Sequence, residues 1–417
     1  MQRAKSEELG AGSAEQGVVG ADQCVCPPKA QRGKSREFGA GSPEFGSESE
    51  ELGCRHSLYF TPRSELHAPR SSPLLLALTQ TAILSIANRE EGSQMADKGI
   101  LITGGTGLVG AYAVGMLLER GERPVVFDVA LNERLLNAVG VDSSKVTLVR
   151  GDMLDLPAVI SAIRENDCDR IIHLAAFLGE EVQRRPYSGV QLNFMGSVNV
   201  FEAARLEKVS RVVFPSSGTV YLGSLGEGLK KIDESIPMNP PSVYAATKAS
   251  CEFMGRAYAK RYGFEFICLR YVGGLYGPSP TALKATREIA IQQMIRAAVK
   301  GEKARIAWPY APTEVLYGKD AAKGTVLAIL KDKFKDQLFH IGNGQLIGGE
   351  EIVAAIKKNF PGSDIDLVKG GNPMPYPESR LASDFSRSKE QLGYEPDYPI
   401  DKAVVDYAAT LRKLENL

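Results

Sequence analysis

From Gly99 onward, short and nearly continuous apolar runs alternate with stretches of helical period. This alternation leaves very few folds open. The runs are Ile100-Leu101-Ile102, Pro124-Val125-Val126-Phe127, Val146-Thr147-Leu148-Val149, Arg170-Ile171-Ile172-His173-Leu174, Arg211-Val212-Val213-Phe214 and Phe264-Glu265-Phe266-Ile267-Cys268-Leu269. A strand that is apolar on both sides must be covered on both faces, and helices between consecutive strands provide that cover. The pattern predicts a parallel, doubly wound α/β sheet with its ligand crevice outside the carboxyl ends of the strands. One long helix is predicted from about Ser188 to Glu207. After about Tyr276 the alternation loosens into helices near Thr286–Val299, Ala321–Leu330 and Glu350–Phe360, with a strand at Gln337–Ile341. The expected division is a nucleotide-binding domain over 98–276, with 277–417 forming mainly a smaller C-terminal α/β domain for substrate.

Residues 1–94 read differently. Ser6-Glu7-Glu8-Leu9-Gly10 returns as Ser49-Glu50-Glu51-Leu52-Gly53, and Gly39-Ala40-Gly41-Ser42-Pro43-Glu44-Phe45-Gly46-Ser47 reads like a linker scar. Such Gly-, Ser- and Glu-rich sequence has too little apolar surface to offset its ordering entropy. The segment is therefore expected to be a disordered tail, either an expression extension or upstream sequence read in frame, with Met95-Ala96-Asp97-Lys98 a natural start for the folded part. Fifty basic and fifty acidic residues balance to a net charge of zero, which gives no electrostatic argument for nucleic acid or an anionic membrane as partner. The apolar stretch Leu74–Ile86 is interrupted by Thr79, Gln80 and Thr81, short of the roughly 20 residues needed to span a bilayer. The six cysteines show no paired spacing apart from Cys24-x-Cys26, which has no second ligand pair nearby. Neither a disulfide framework nor a metal site is expected, and a reducing, cytoplasmic setting is.

Gly104-Gly105-Thr106-Gly107-Leu108-Val109-Gly110 follows the first strand directly and opens the first helix. Glycines there let the backbone approach a pyrophosphate, and the helix start offers unpaired N–H groups and the positive end of the helix dipole. Asp128 ends the second strand, where its carboxylate can accept both adenosine ribose hydroxyls and repel a 2′-phosphate; no arginine follows it, so NAD is expected rather than NADP. Asp152, just after the third strand with Met153 beside it, is placed where an adenine amino group would lie. Asp155 reads as a helix-start residue.

Tyr244 and Lys248 stand at i and i+4 in a helix predicted to begin after Pro240-Pro241-Ser242, so they share one face. A free phenol, with a pKa of about 10, is a poor base at neutral pH, and a neighbouring ammonium favours its ionised form. The pair suits proton transfer to and from a hydroxyl while a nicotinamide exchanges hydride with the same carbon. At the end of the fifth strand, Phe214-Pro215-Ser216-Ser217-Gly218-Thr219 places small hydroxyls where a hydrogen bond to the substrate oxygen is needed. Ser217 is the first choice and Thr219 the second.

Taken in order, the glycine turn, Asp128, Asp152, His173-Leu174-Ala175-Ala176, Asn193, Ser216-Ser217, Tyr244/Lys248 and Leu269-Arg270-Tyr271 resemble the extended short-chain dehydrogenases/reductases, the NAD-dependent epimerase/dehydratase family, over about Gly99 to Leu411. The resemblance implies a Rossmann fold and a homodimer. It assigns Tyr244 as general acid/base, Lys248 as its partner and nicotinamide-ribose contact, and Ser217 as the substrate hydroxyl. Further cofactor contacts are implied from Gly104, Gly107, Leu108, Val109, Gly110, Asp128, Asp152, Met153, Ala175, Ala176 and Tyr271. His173 is expected to pack, and Asn193 resembles the family's structural asparagine.

Departures from the family pattern narrow the reading. The Asp-Glu pair of 4,6-dehydratases is replaced by Gly218-Thr219, which removes the acid for dehydration. UDP-sugar epimerases carry an arginine and an aspartate opening a late strand; here Thr313 and Glu314 stand there, and Glu314 is expected to repel a diphosphate. Arg270, Arg287, Arg296 and Arg380 are the remaining candidates for that charge. Phe214-Pro215-Ser216-Ser217 is similar to the L-threonine 3-dehydrogenase branch, but Gly277-Pro278-Ser279-Pro280 replaces that branch's glycine- and threonine-rich loop. The expected activity is hydride transfer at a secondary alcohol or ketone of a small hydroxylated substrate. The alternatives are a nucleotide-sugar 4-epimerase holding its NAD tightly, or a non-catalytic NAD-binding protein.

Overall fold

The computed structural model describes residues 98–416 apart from 227, 280–286, 309–311 and 370–380. All of them lie within one compact unit of the chain, Ser71–Leu417. The readings made for residues 1–94 fall outside the described residues.

The strands run as predicted, with small extensions: β1 Gly99–Thr103, β2 Arg123–Asp128, β3 Thr147–Arg150, β4 Cys168–His173, β5 Arg211–Ser217 and β6 Glu265–Tyr271. They form a parallel sheet in the order β10-β6-β5-β4-β1-β2-β3, where β10 is Leu338–Ile341. Side chains alternate across it. Ile100, Ile102, Val126, Ile172, Val213 and Ile267 pack one way, against α1 (Leu108–Leu118), α2 (Glu133–Ala138) and α9 (Gly318–Leu330). Leu101, Val125, Ile171, Val212, Phe214 and Phe266 pack the other way, against α3 (Leu156–Glu165), α6 (Gly196–Leu206) and α7 (Val243–Tyr262). Both faces are dry, which is why the strand sequences carry no polar alternation.

The strand expected in the smaller domain joins the large sheet instead. β10 pairs parallel with β6, Leu338 opposite Cys268 through Ile341 opposite Tyr271, so the chain returns from the C-terminal part to complete the nucleotide-binding sheet. The reason is local composition: Phe339, His340 and Ile341 are fully buried and need cover on both faces, which only the large sheet supplies. The short helix α11 (Ser386–Leu392) follows against it. The remaining C-terminal elements make a second core. β7 (Gly274–Tyr276), β9 (Thr313–Tyr317) and β11 (Leu346–Ile347) form one small sheet, and β8 (Ala304–Trp308) and β12 (Ile365–Lys369) pair beside it. Helices α8 (Arg287–Lys300), α10 (Gly349–Asn359) and α12 (Ile400–Glu415) enclose them, and Ile295, Tyr317, Ile356 and Leu411 lie in this core.

The helix predicted over about 188–207 is continuous but not uniform. The short α4 (Gly179–Arg184) precedes it; then come α5 (Pro186–Val190), a π-helical turn at Gln191–Met195, and α6. A π turn adds one residue and rotates the helix face, and it often marks a functional position; here Asn193 sits inside it.

Candidate functional site

The glycine turn joins β1 to α1 at the carboxyl edge of the sheet. Gly104 has φ +69°, and a methyl group on it would lie 2.8 Å from the Ala175 nitrogen. One on Gly110 would lie 2.6 Å from the Gly104 carbonyl oxygen. Neither position tolerates a side chain, and Gly107 caps α1, whose first amides have no partner within the helix. This cradle fits a dinucleotide pyrophosphate. Val109 turns its side chain into the core and is 6% exposed, so only its backbone faces the crevice. Leu108 lies against Gly277 and Gly318, where an added methyl would come within 2.7 and 2.9 Å of it; the C-terminal part of the chain thus reaches the glycine turn.

Asp128 ends β2, and the structure adds a residue the sequence reading missed. Thr106, inside the turn, donates to Asp128 Oδ2 from its nitrogen at 3.2 Å and its hydroxyl at 2.7 Å, while Ala130 N donates to Oδ1 at 3.3 Å. These three bonds fix the orientation of the carboxylate at the end of β2. A hydroxyl residue at the third position of the turn was the available signal. Asp152 is exposed, and its Oδ1 accepts from Leu154 N at 2.9 Å, which is a turn cap. Asp155 caps α3 through Ala158 N at 3.2 Å. Met153 is buried against Gly196, and Asn199 Nδ2 donates to both Met153 O and Leu154 O at 3.0 Å, fixing this loop from α6.

Tyr244 and Lys248 lie in the first two turns of α7, which packs against β5. Ser242 caps α7 through Ala245 N at 3.2 Å, which sets the first turn and places half-buried Tyr244 in it, with Gly179 opposite its ring. One turn on, Lys248 is 6% exposed, donates to Pro215 O at 2.9 Å and stands 4.8 Å from the Phe214 ring centre. Burial lowers its pKa, opposed by the charges around it. Ser217 Oγ accepts from Thr219 N at 3.2 Å and from the Thr219 hydroxyl at 3.0 Å. Both bonds are accepted by the Ser217 oxygen, so Thr219 orients Ser217. Ser216 turns inward and donates to Glu252 Oε1 at 2.6 Å. Ala175 and Ala176 follow β4, beside the glycine turn. The Tyr271 hydroxyl is engaged by Thr325 of α9 at 2.5 Å.

A buried ionic cluster underlies this group and was not anticipated. Glu252, fully buried and two turns beyond Tyr244 on the same helix face, accepts from Arg270 Nε at 2.8 Å and Nη2 at 2.7 Å. Arg270 also donates to the Tyr221 hydroxyl, which bonds His340 Nε2 at 2.6 Å. The i, i+4, i+8 spacing of Tyr244, Lys248 and Glu252 was the legible signal.

Two expectations about a diphosphate need correction. Glu314 does not face an open crevice. It is 3% exposed; Oε1 accepts from Asn343 N, Gly344 N and the Ser383 hydroxyl at 2.7–2.9 Å, and Oε2 from Ser383 N at 2.7 Å. It is a latch between β9, the turn after β10 and Ser383. Burial raises its pKa in spite of these donors, and its repulsion of a substrate is not the operative effect. Arg270 and Arg296 are also committed, to Glu252 and Glu415 respectively. The Arg287 side chain and Arg380 lie outside the described residues.

These elements define a nucleotide-binding oxidoreductase fold with a Tyr/Lys helix beside the cofactor crevice, and the chain belongs to the NAD dependent epimerase/dehydratase family, whose model matches residues 100–342. It is an NAD-dependent enzyme of the short-chain dehydrogenase/reductase type. UDP-glucose 4-epimerase of Halalkalibacterium halodurans is 26% identical over 324 residues, covering 74% of this chain and 94% of that protein. dTDP-glucose 4,6-dehydratase of Streptomyces antibioticus is 28% identical over 310 residues, covering 71% of this chain and 87% of that protein. The crystal structure of Thermus thermophilus UDP-glucose 4-epimerase in complex with NAD matches with a TM-score of 0.64 at 24% identity, covering 75% of this chain and 99% of that one, a likeness of fold. Among the described residues, no helix is long and apolar enough to cross a membrane, and no cluster of His, Cys, Asp or Glu is arranged to hold a metal ion.

Proposed function

We propose that the protein catalyses net, NAD-dependent hydride transfer at a secondary alcohol or ketone of a small hydroxylated substrate. The observation that supports this reading is that Tyr244 and buried Lys248 share the first turns of α7, with Lys248 bonded to Pro215 O two residues before Ser217. Bound NAD supplies the hydride acceptor or donor. Tyr244 takes the proton of the substrate hydroxyl, and the Lys248 ammonium favours the phenolate that does so and would hold the nicotinamide ribose. Ser217 donates to the substrate oxygen and fixes its distance from Tyr244. Asp128 would accept the adenosine ribose hydroxyls, and Asp152, Met153, Ala175, Ala176 and Tyr271 would line the remainder of the cofactor path.

Gly218 and Thr219 provide no carboxylic acid where a dehydratase needs one. At the head of β9, Thr313 is 4% exposed and carries no charge for a diphosphate. A second reading, epimerisation of a nucleotide sugar with NAD retained, is favoured by the UDP-glucose 4-epimerases among the relatives. Mass spectrometry of the purified protein for co-purifying NAD and sugar nucleotide, followed by a substrate screen, separates the two. Net NADH formation with a hydroxy acid or free sugar supports the first. Interconversion of UDP-glucose and UDP-galactose without net NADH supports the second and refutes the first.

We also infer that two copies pair through α5, α6 and α7. Tyr187 on α5, Met195 on the π turn that leads into α6 and Phe253 on α7 are 76%, 47% and 61% exposed, large apolar side chains of the kind a homodimer covers.

A further inference from the structure

We propose that His173 is a positioning residue for the cofactor crevice, holding the Ala175–Phe177 segment in place through a single polarised hydrogen-bond chain rather than by packing. The proposal rests on the reading of Ala175 and Ala176 as cofactor contacts.

The chain has a direction that its fixed ends determine. At one end, the Ala175 N–H can only donate, and it does so to Thr103 Oγ1 at 3.2 Å. At the other end, the Asn193 carbonyl can only accept, and it takes the Ser197 hydroxyl proton at 2.6 Å. With that proton committed, Ser197 Oγ accepts from His173 Nε2–H at 2.9 Å. A neutral imidazole protonated at Nε2 offers a lone pair at Nδ1, which accepts the Thr103 hydroxyl proton at 2.7 Å. Thr103, His173 and Ser197 then each donate once and accept once, with no conflict along the chain.

The loop it serves is closed from the far side as well. The Asn193 side chain clamps Phe177, accepting from its nitrogen at 2.7 Å and donating to its oxygen at 2.9 Å. The segment is thus gripped at Ala175 and at Phe177, with Ala176 between. The sheet order would place it midway along a bound dinucleotide. Asp128 on β2 marks the adenosine end, the turn after β1 the pyrophosphate, and Ser217 on β5 the reacting end; β4 lies between β1 and β5. Ala175, which lies against Gly104, and Ala176 after it would therefore stand between the pyrophosphate and the reacting end.

Burial makes the chain consequential. Thr103, His173, Asn193 and Ser197 are exposed by 2% or less, so a broken link leaves polar groups with no water to replace the partner. Desolvation, and then the Lys248 charge, pushes the His173 pKa down to about 3, which keeps the single-proton form the chain requires at neutral pH. Packing alone does not demand a histidine. The ring lies 5.8 Å from Phe214 and 6.3 Å from Phe201 in an aromatic cluster where phenylalanine would sit equally well.

Calorimetric titration of the full chain with NAD and, separately, with ADP tests the proposal, because ADP occupies only the half held by Asp128 and the glycine turn. His173→Phe should weaken NAD by about tenfold or more while ADP stays within about twofold of wild type. His173→Gln, which offers one donor and one acceptor, should recover most of the NAD affinity. Thr103→Val, nearly isosteric, cuts the chain next to Ala175 and should reproduce the selective loss even where His173→Phe does not fold. Parallel loss of NAD and ADP in Thr103→Val, or no loss of NAD, would overturn the proposal. Wild-type protein that binds ADP as tightly as NAD would remove the nicotinamide-side reading beneath it, an outcome visible before any variant is made.

Discussion

Cofactor choice is the property most directly computable from the site. The Asp128 carboxylate is held by Thr106 N and Oγ1 and by Ala130 N, so it cannot swing away from a ligand without breaking those bonds. A 2′-phosphate there would lie about 5 Å from it, and at an effective dielectric near 20 one pair of like charges costs about 3 kcal/mol. That is a preference for NAD on the order of a hundredfold. Asp128→Asn keeps an oxygen for Thr106 and removes the charge, so it separates electrostatics from loop geometry. The NAD/NADP affinity ratio should fall to within about tenfold, with NAD itself weakened about three- to tenfold through the lost charge-assisted bonds. Asp128→Ser should cost more NAD affinity than Asp128→Asn, because it also releases Thr106 and the glycine turn. Val129 is 65% exposed, so Val129→Arg has room to turn the ratio further toward NADP. Isothermal titration of both cofactors reads each number. Wild type that binds NADP as tightly as NAD, or an unchanged ratio in Asp128→Asn, would show that Asp128 is not the ribose ligand.

Tyr244→Phe should abolish nearly all turnover on whichever substrate the screen identifies while leaving NAD affinity close to wild type; substantial residual turnover would remove Tyr244 from the chemistry. Burial, and next the charge of Arg270, hold the His340 pKa near 4, below the unfolded value of about 6.5, so the unfolded chain binds more protons between those limits and stability falls as pH drops from about 6.5 to about 4. Asp320, raised by burial to about 6, gives the opposite slope, so the quantity to compare is the difference between His340→Gln and wild type: from about pH 4 to about 6.5 the variant's stability should rise with pH by up to about 1 kcal/mol per pH unit less than wild type's in urea unfolding, and identical slopes would refute the assignment. Phe253→Glu should convert the protein to monomers in sedimentation velocity with its far-ultraviolet circular dichroism unchanged, and a wild type that is already monomeric would dismiss the pairing face.

Much of the site was legible because its signals are local. Continuous apolar runs required a sheet covered on both faces, and six strands lie where those runs do. The glycine turn, Asp128 and the Tyr244/Lys248 spacing each depend on a few consecutive residues and on backbone geometry that their own types enforce. Partnerships across long stretches of chain had no such signal. Nothing in Gln337–Ile341 says which sheet it joins; the fully buried Phe339 and Ile341 settle that only once β6 offers an open edge. In the sequence, Arg270 and Glu314 have the character of groups that meet a substrate charge, since charged side chains normally stay in water. The folded chain instead supplies Glu252 to the first and the donors of Asn343, Gly344 and Ser383 to the second. Likewise His173 reads as packing from its neighbours in sequence, and only the meeting of β1, β4 and α6 aligns Thr103, His173 and Ser197 into one chain. Sequence determines what each short segment must bury and which groups it can offer. Tertiary structure decides which of those groups meet, because a buried charge or hydrogen bond is tolerable only where distant segments bring its partner.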